Sequence, residues 1–265
     1  MRPRRWFLCL FVTLWIVSGI SVFAQQPPQA GGYPRASAAP PILKVEWVPA
    51  PNQKTVPPGQ ADTPAGDAAR MITQGNIADP NVQLQKYGPG ASKVLTSGTA
   101  GSTEQPYSVW AGTHEGPFAI TFREKNYYLD MSSSVARIRW VVKTSGFHVV
   151  RPVVKLADGT LLVGDHTDAS EAMLAQSEFS LAGVRWLKLD PNRVVTLPNA
   201  PDEATIGRIA SHEIWVAHAD LSKVDEIGFA DLMPGSGHGF GGYIHVGQIE
   251  VYGKAVPRNQ QVSSR

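Results

Sequence analysis

Cysteine is almost absent from this chain. The only one, Cys9, lies in an apolar N-terminal segment. A single cysteine forms no internal disulfide, and the chain beyond that segment has neither a zinc thiolate nor a cysteine nucleophile. We therefore expect an apolar core to hold the fold, and 265 residues are enough to supply one.

The sequence also lacks an excess of charge of either sign beyond its first residues. Lysine and arginine number 24, against 22 aspartate and glutamate residues. Three of the basic residues, Arg2, Arg4 and Arg5, precede Ala24 without any acid, which leaves 21 against 22. A nearly neutral chain has no electrostatic footprint for nucleic acid, so we expect no nucleic-acid partner.

Residues 1–24 are typical of a secretory signal peptide. A basic start is followed by the apolar run 6–17, and Val22 and Ala24 fit the small residues before a cleavage site. This predicts export to the periplasm, the cell envelope or the extracellular space. Only an uncleaved segment would tie the protein to a membrane. The string "RRWFL" also resembles a twin-arginine signal, which would export the protein already folded.

Composition divides the rest of the chain into three parts. Residues 25–74 are rich in proline, alanine, glycine and glutamine, which predicts an extended tether that buries little apolar surface. Residues 42–48 interrupt this tether with an alternating pattern. It predicts a short strand that docks on the following domain, and a partner-binding motif is the alternative. We expect residues 75–256 to form the folded domain and residues 257–265 to be a disordered tail.

Short apolar bursts separated by turn residues predict many short strands from residue 75 onward. The Asp158-Gly159 pair predicts a hairpin, and Pro152 predicts an edge strand or a bulge. Only "DASEAMLAQSEF" has a helical pattern. Strands and helices do not alternate, which excludes a doubly wound sheet. The run "VARIRWVV" places one set of apolar side chains on one face: Ile138, Trp140 and Val142.

A glycine-rich segment, residues 237–242, matches the G-x-G-x-x-G spacing of nucleotide-binding loops. Such a loop opens a helix whose N-terminus holds the pyrophosphate. The residues that follow, "YIHVGQIEVYG", are β-branched and aromatic and predict a strand, so we interpret the glycines as a connection between antiparallel strands. The apolar pairs before and after Gly247 have opposite parity, which predicts a β-bulge near that residue.

The strand "YIHVGQIEVYG" and the stretch "KNYYLDMSSSVARIRW" resemble the galactose-binding-like β-sandwiches, which include discoidin domains and many carbohydrate-binding modules. The resemblance spans about residues 81–256. It implies an all-β, antiparallel jelly-roll β-sandwich, here with one or two short helices, whose end loops bind sugar, lipid or protein. Because the cysteine pair of many discoidin domains is missing, a bacterial envelope or secreted relative fits better.

Calcium is a common structural ion in such modules. Asp165 and Asp168 are the candidate oxygen ligands. The alternative is an Asp-rich turn in which Asp168 caps the following helix.

Seven side chains are candidate ligand-binding groups. Three lie in or beside the glycine-rich segment, where backbone amides can approach a ligand closely. Two lie in the strand-like run "HEIWVAH", where an indole can stack on a sugar ring or instead cover the second sheet. Two more lie in "YSVWAGTHEGPF" and form a second cluster. In that order the candidates are His238, Phe240 and Tyr243, then Glu213 and Trp215, then Trp110 and His114.

We expect a non-catalytic binding module for carbohydrate. A serine-hydrolase elbow fails at Ser236 because Pro234 replaces the first glycine, and Val216 replaces the second histidine of a zinc-protease motif. Two alternatives stay open. One is a glycan-active hydrolase or lyase, for which a hydrolase needs two facing carboxylates. The other is a structural or adhesion domain that binds another envelope protein.

Overall fold

The computed structural model describes residues 39–53, 56, 63–170, 172–197, 215–233 and 242–258. Within these residues the chain forms one α-helix, four short 3-10 helices and fifteen strands. The helix α1 spans Pro64–Arg70, and the 3-10 helices span Gln74–Asn76, Pro89–Lys93, Leu181–Gly183 and Leu221–Lys223. In this part of the chain no helix is long and apolar enough to cross a membrane.

The strands are short, as the spacing of turn residues predicts. The first eight are β1 (Leu43–Val45), β2 (Val82–Tyr87), β3 (Leu95–Ser97), β4 (Ser108–Ala111), β5 (Phe118–Glu124), β6 (Tyr127–Asp130), β7 (Arg137–Gly146) and β8 (Arg151–Leu156). The others are β9 (Leu161–Gly164), β10 (Ala175–Ser180), β11 (Trp186–Leu189), β12 (Thr196–Leu197), β13 (Val224–Asp231), β14 (Gly242–Tyr252) and β15 (Lys254–Pro257).

The strands pair in two antiparallel sheets. The front sheet has the order β10-β7-β14-β4-β3, with β1 beside β14. The back sheet has the order β12-β11-β9-β8-β13-β5-β2, and β6 pairs with β13 and β15. The inner faces share one apolar core, whose largest fully buried side chains include Trp140, Phe118, Phe122 and Phe229. The predicted fold class, an all-β antiparallel sandwich with a short helix, is confirmed.

Strand β7 shows why these residues fold this way. Ile138, Trp140 and Val142 are buried, and the residues between them lie on the outer face of the front sheet. A strand places successive side chains on opposite faces, so this alternation gives the strand one apolar and one polar side. The prediction that Ile138, Trp140 and Val142 share one face of the strand is confirmed.

Strand β14 contains the predicted bulge. Val246 lies opposite Val142 of β7, and Ile249 lies opposite Trp140. Between these pairs, two residues of β14 lie opposite a single residue of β7, and the extra residue reverses the side-chain parity. As a result Val246 and Ile249 are both buried.

Strand β1 belongs to the sandwich, although composition predicts a tether over residues 25–74. It pairs with β14, and Leu43 and Val45 are buried. Trp47 follows it, with its ring edge against Phe122 at a centroid distance of 5.6 Å. Ile72, in the same predicted tether, is also fully buried. A polar segment can contribute a few apolar side chains to a core that other strands supply, and averaged composition misses this.

The β8–β9 connection is the hairpin that Asp158-Gly159 predicts, with Gly159 at a φ of +92°. The prediction from Pro152 is only partly correct, because β8 lies inside the back sheet between β9 and β13. Pairing of β8 with β9 begins at Val153, whereas Pro152 itself lies opposite Phe229 of β13. At Pro152 the strand therefore has a ladder on one side only, which accommodates a residue without an N–H group.

The predicted helix within residues 168–179 is wrong. Residues from Ala175 onward form the edge strand β10, which pairs with β7, and Asp168 forms a β-bridge with Val150. The pairing of these residues with β7 outweighs their weak local preference for a helix.

The strands on either side of the glycine-rich segment lie in different sheets, β13 in the back and β14 in the front. The connection therefore joins the two sheets and is not a hairpin within one. Residues 234–241 themselves lie outside the described part. The chain after them is strand from Gly242, as predicted, where a nucleotide-binding loop would open a helix.

Candidate ligand-binding face

The outer side of the front sheet carries the polar and aromatic side chains that point away from the core. We call this surface the front face. It consists of outward-facing residues of β4, β7, β10 and β14: Trp110, Arg139, Val141, Lys143, Glu178, Tyr243, His245, Gln248 and Glu250. Their neighbours along β14, such as Ile244 and Val246, are buried in the core.

Three aromatic rings form one end of the front face. His245 lies opposite Trp110 of β4 on one side and opposite Lys143 of β7 on the other. The Tyr243 ring lies 6.2 Å from the Trp110 ring and 5.6 Å from the His245 ring, between centroids. A Cβ atom on Gly112 would lie 2.4 Å from the indole of Trp110, so the indole packs where only glycine leaves room.

Of these three residues, His245 also lines a groove of about 600 Å³. Val141, Lys143 and His245 lie in its floor, and residues 103–106 and 172–174 also line it. A second depression of about 400 Å³ shares Val141 with it and extends towards Gln248. The two together are within the size range of small-molecule sites.

His245 is uncharged at neutral pH. Its burial, and then the charge of Lys143, lower the pKa of the imidazole from 6.5 to about 4. A neutral imidazole has one donor and one acceptor nitrogen, so it can pair with a hydroxyl group in either direction.

A hydrogen-bonded network of charged groups forms the other end of the front face. Arg139 donates from Nε to Glu178 at 2.7 Å, and from Nη1 to Glu250 at 3.2 Å. The same Nη1 donates to the Tyr252 hydroxyl at 3.0 Å, and that hydroxyl donates to Glu250 at 2.6 Å. Gln248 donates to the other oxygen of Glu250, also at 2.6 Å. The carboxylates are thus fixed in place by their partners.

This pair of carboxylates does not fit a glycosidase. Glycosidase carboxylates face each other across the scissile bond, with a sugar between them. Here the guanidinium of Arg139 bonds to both Glu178 and Glu250 and so lies between them. An arginine in that position balances the charges of both carboxylates.

Two of the seven predicted ligand residues, Trp110 and Tyr243, meet on the front face, although the sequence places them in separate clusters. Trp215 lies elsewhere: Val216 beside it bridges Trp186 of the back sheet, and the Arg185 guanidinium stacks on its ring at 4.4 Å. The other three in the C-terminal half, Glu213, His238 and Phe240, lie outside the described residues.

His114 does not form an exposed cluster with Trp110, which corrects that prediction. Its side chain is fully buried, with its ring edge against Phe118 at 4.9 Å. Nδ1 donates to the carbonyl of Gly116 at 2.8 Å. Trp110 points outward from β4, whereas His114 follows the end of that strand, where the chain turns inward.

The residues predicted to bind calcium have other partners. Asp165 accepts from the backbone N–H of Arg185 at 2.9 Å and from its Nε at 2.8 Å. Burial raises the pKa of this carboxyl, but the hydrogen bonds from Arg185 outweigh that effect and the pKa is lowered. Asp168 accepts from Trp140 Nε1 at 2.6 Å and from His166 Nε2 at 3.1 Å, and it caps no helix. N–H donors of the protein thus already bond both oxygens of Asp165 and Oδ2 of Asp168, and calcium binding by these residues stays a prediction.

Sequence reasoning missed Lys143, His245 and the network around Arg139. A signal was present, because the parity that buries Ile244 and Val246 also turns His245 outward. Which outward residues share a surface depends on strand order, and β4 and β14 are far apart in the sequence.

No protein-family model and no curated protein matches the chain. Among solved structures, it is similar to the family 11 carbohydrate-binding module from Clostridium thermocellum in complex with a β-1,3-1,4-mixed-linked tetrasaccharide. The identity is 16% and the TM-score 0.40, over 69% of this chain and 95% of that chain. It is also similar to a family 29 carbohydrate-binding module, at 13% identity and a TM-score of 0.28, over 65% of this chain and 90% of that chain.

An exo-β-agarase is similar at 8% identity and a TM-score of 0.35, over 71% of this chain and 25% of that chain. At these identities and TM-scores, none of the three similarities assigns a ligand to this chain.

Proposed function

We propose that this chain is an exported, non-catalytic binding module for carbohydrate and that the front face is its binding site. The observation that supports the site is the aromatic patch of Trp110, Tyr243 and His245, of which His245 also lines the groove. A pyranose ring has an apolar C–H face and a polar edge, so it suits a surface on which rings and hydrogen-bonding groups adjoin. Export is proposed from the signal-peptide pattern of residues 1–24.

Binding would use two kinds of contact. The rings of Trp110 and Tyr243 would stack on the apolar face of a sugar, while neutral His245 and Lys143 would pair with its hydroxyl groups. Further along, Gln248 and Glu250 offer an amide and a carboxylate held in position by their mutual hydrogen bond. Groups fixed before binding lose little conformational entropy when the ligand arrives.

A glycan array identifies the ligand, and isothermal titration calorimetry with the best binder measures the affinity. We expect Trp110→Ala and Tyr243→Ala each to weaken binding about tenfold or more, which corresponds to about 1.4 kcal/mol. Trp215→Ala is the matched control, because it removes a half-buried indole that lies beside the back sheet. Absence of binding to every glycan, or equal affinity in all three variants, would refute the proposal.

Two further measurements on the same protein test the enzyme and the adhesion-domain alternatives. New reducing ends or unsaturated sugars after incubation with polysaccharide would indicate a glycan-active enzyme. Co-purification with an envelope complex, without binding to any glycan, would indicate a structural or adhesion domain.

A further inference from the structure

A cluster of three metal-ligating side chains lies inside the sandwich. His114 follows β4, His148 lies between β7 and β8, and Asp231 is the last residue of β13. All three are at most 2% exposed. One ligand atom from each lies within 4.8 Å of the other two, and in the described ranges this is the one such set of three or more histidine, cysteine or acidic side chains.

Asp231 is a buried carboxylate at the centre of the cluster. Its Oδ1 accepts from the backbone N–H of Met233 at 3.0 Å. Its Oδ2 lies 2.5 Å from His148 Nδ1 and 3.6 Å from His114 Nε2. A buried carboxylate is costly unless a cation balances it, and among the described residues no lysine or arginine forms an ion pair with Asp231.

The tautomer of His114 indicates where a cation would lie in this cluster. Its Nδ1 must carry hydrogen, because a carbonyl oxygen such as that of Gly116 can only accept. In the neutral imidazole Nε2 then holds a lone pair, and it faces the carboxylate oxygen of Asp231. Two facing acceptors repel each other unless a proton or a metal ion lies between them. A backbone carbonyl is also one of the common partners of the second ring nitrogen in a metal-binding histidine.

We propose that His114 Nε2, His148 Nδ1 and Asp231 Oδ2 bind a divalent late first-row transition metal, for which Zn²⁺ is the best probe. Zinc binds such nitrogen and oxygen atoms at about 2.0–2.2 Å, which sets tetrahedral ligand atoms roughly 3.3 Å apart. The His114–Asp231 distance of 3.6 Å is close to this value. The His148–Asp231 distance is that of a hydrogen bond and would lengthen by about 0.8 Å on metal binding.

The bound ion would join the two sheets. Asp231 ends a strand of the back sheet, and His114 follows a strand of the front sheet. His148 lies on the connection from β7 of the front sheet to β8 of the back sheet. A metal that links these three segments stabilises the folded chain over the unfolded one, in which the ligands are apart.

The test uses the whole chain without an affinity tag. The protein is stripped with chelator, incubated with Zn²⁺, dialysed and assayed for metal by mass spectrometry, and its melting temperature is measured in chelator and in Zn²⁺. We expect one zinc per chain and a higher melting temperature in Zn²⁺. His114→Gln and Asp231→Asn should each weaken zinc binding at least tenfold. His166→Gln, whose imidazole has Asp168 as its partner, is the control and should retain the metal.

Wild-type protein that retains no zinc and melts equally in Zn²⁺ and chelator would overturn the proposal and assign the cluster to a shared proton. Zinc that remains bound in both His114→Gln and His148→Gln would overturn it as well, because it would place the metal elsewhere. If Asp231→Asn fails to fold, the visible absorption spectrum of Co²⁺ bound to wild-type protein tests the metal site instead. Intense visible absorption typical of tetrahedral cobalt supports the site, and the weak spectrum of hexaaqua cobalt refutes it.

Discussion

Replacement of Trp47 tests whether the segment around β1 is part of the folded domain. The side chain is only 6% exposed. Its indole Nε1 donates to the carbonyl of Gly247, within the bulge of β14, at 2.9 Å. Its ring contacts Phe122 of the back sheet, so one residue of the proline-rich segment contacts both sheets.

Two variants separate the hydrogen bond from the packing. Trp47→Phe keeps most of the apolar ring but removes the donor and leaves the Gly247 carbonyl without it. Leaving a buried acceptor without its donor costs about 1–3 kcal/mol. Trp47→Ala also removes the ring from the core, and such truncations cost about 3–5 kcal/mol. We therefore expect two distinct decreases in the free energy of unfolding, with the larger one for alanine.

The assay is urea denaturation followed by circular dichroism, with the free energy of unfolding extrapolated to water. Trp215→Phe is the control, because it keeps a ring near Arg185, and we expect it to cost about 1 kcal/mol or less. If both Trp47 variants unfold at the wild-type urea concentration, the segment around β1 contributes nothing and its assignment to the sandwich is wrong. Rapid proteolysis between residues 39 and 53 of the native protein would lead to the same conclusion.

Three further changes have expected effects on stability. Gly228→Ala should cost about 1–3 kcal/mol in urea unfolding, because its Cβ would lie 2.0 Å from a backbone carbonyl oxygen of β5. Gly183→Ala, with no atom within 4 Å of the added Cβ, should be neutral, and equal costs would contradict this reasoning. Lys155→Met should cost about 3 kcal/mol because it leaves the buried carboxylate of Glu226 without its cation, and adding Glu226→Gln should recover part of the loss. The folded pKa of His245, about 4, lies below the unfolded value of 6.5, so between these pH values only the unfolded chain binds the proton. The free energy of unfolding should therefore fall as the pH drops through this window, by up to about 1.4 kcal/mol per unit, and a His245→Gln variant with the same slope would refute the assignment.

The sequence pattern predicted the features that depend only on residues close together in the chain. Alternation along β7 predicted that Trp140 lies on the buried face of that strand. A turn dipeptide predicted the hairpin at Gly159, and the reversed side-chain parity predicted the bulge near Gly247. Each depends on a few neighbouring residues and on a core that accepts only apolar side chains. Periodicity within one strand is enough to assign its inner and outer faces.

Features that depend on distant contacts could not be predicted in this way. Residues 175–180 pair with β7, and that ladder outweighs a local preference for helix. The cluster of His114, His148 and Asp231 unites three segments that span more than a hundred positions, and none of the three carries a motif. The front face likewise depends on β4 lying beside β14, which the spacing of residues within either strand does not show.

The bulge in β14 gives the front face its two-part character. Before it, Tyr243 and His245 point outward, and after it Gln248 and Glu250 do. Without the extra residue, the parity that buries Val246 would expose Ile249, and the second half of the strand would present apolar side chains to solvent. One strand therefore carries an aromatic patch followed by a hydrogen-bonding network while its core face stays apolar throughout. A ligand with an apolar face and a polar rim could lie along β14 and contact both parts, whereas a purely apolar ligand would displace water from the charged groups around Arg139 and offer no hydrogen bond in return.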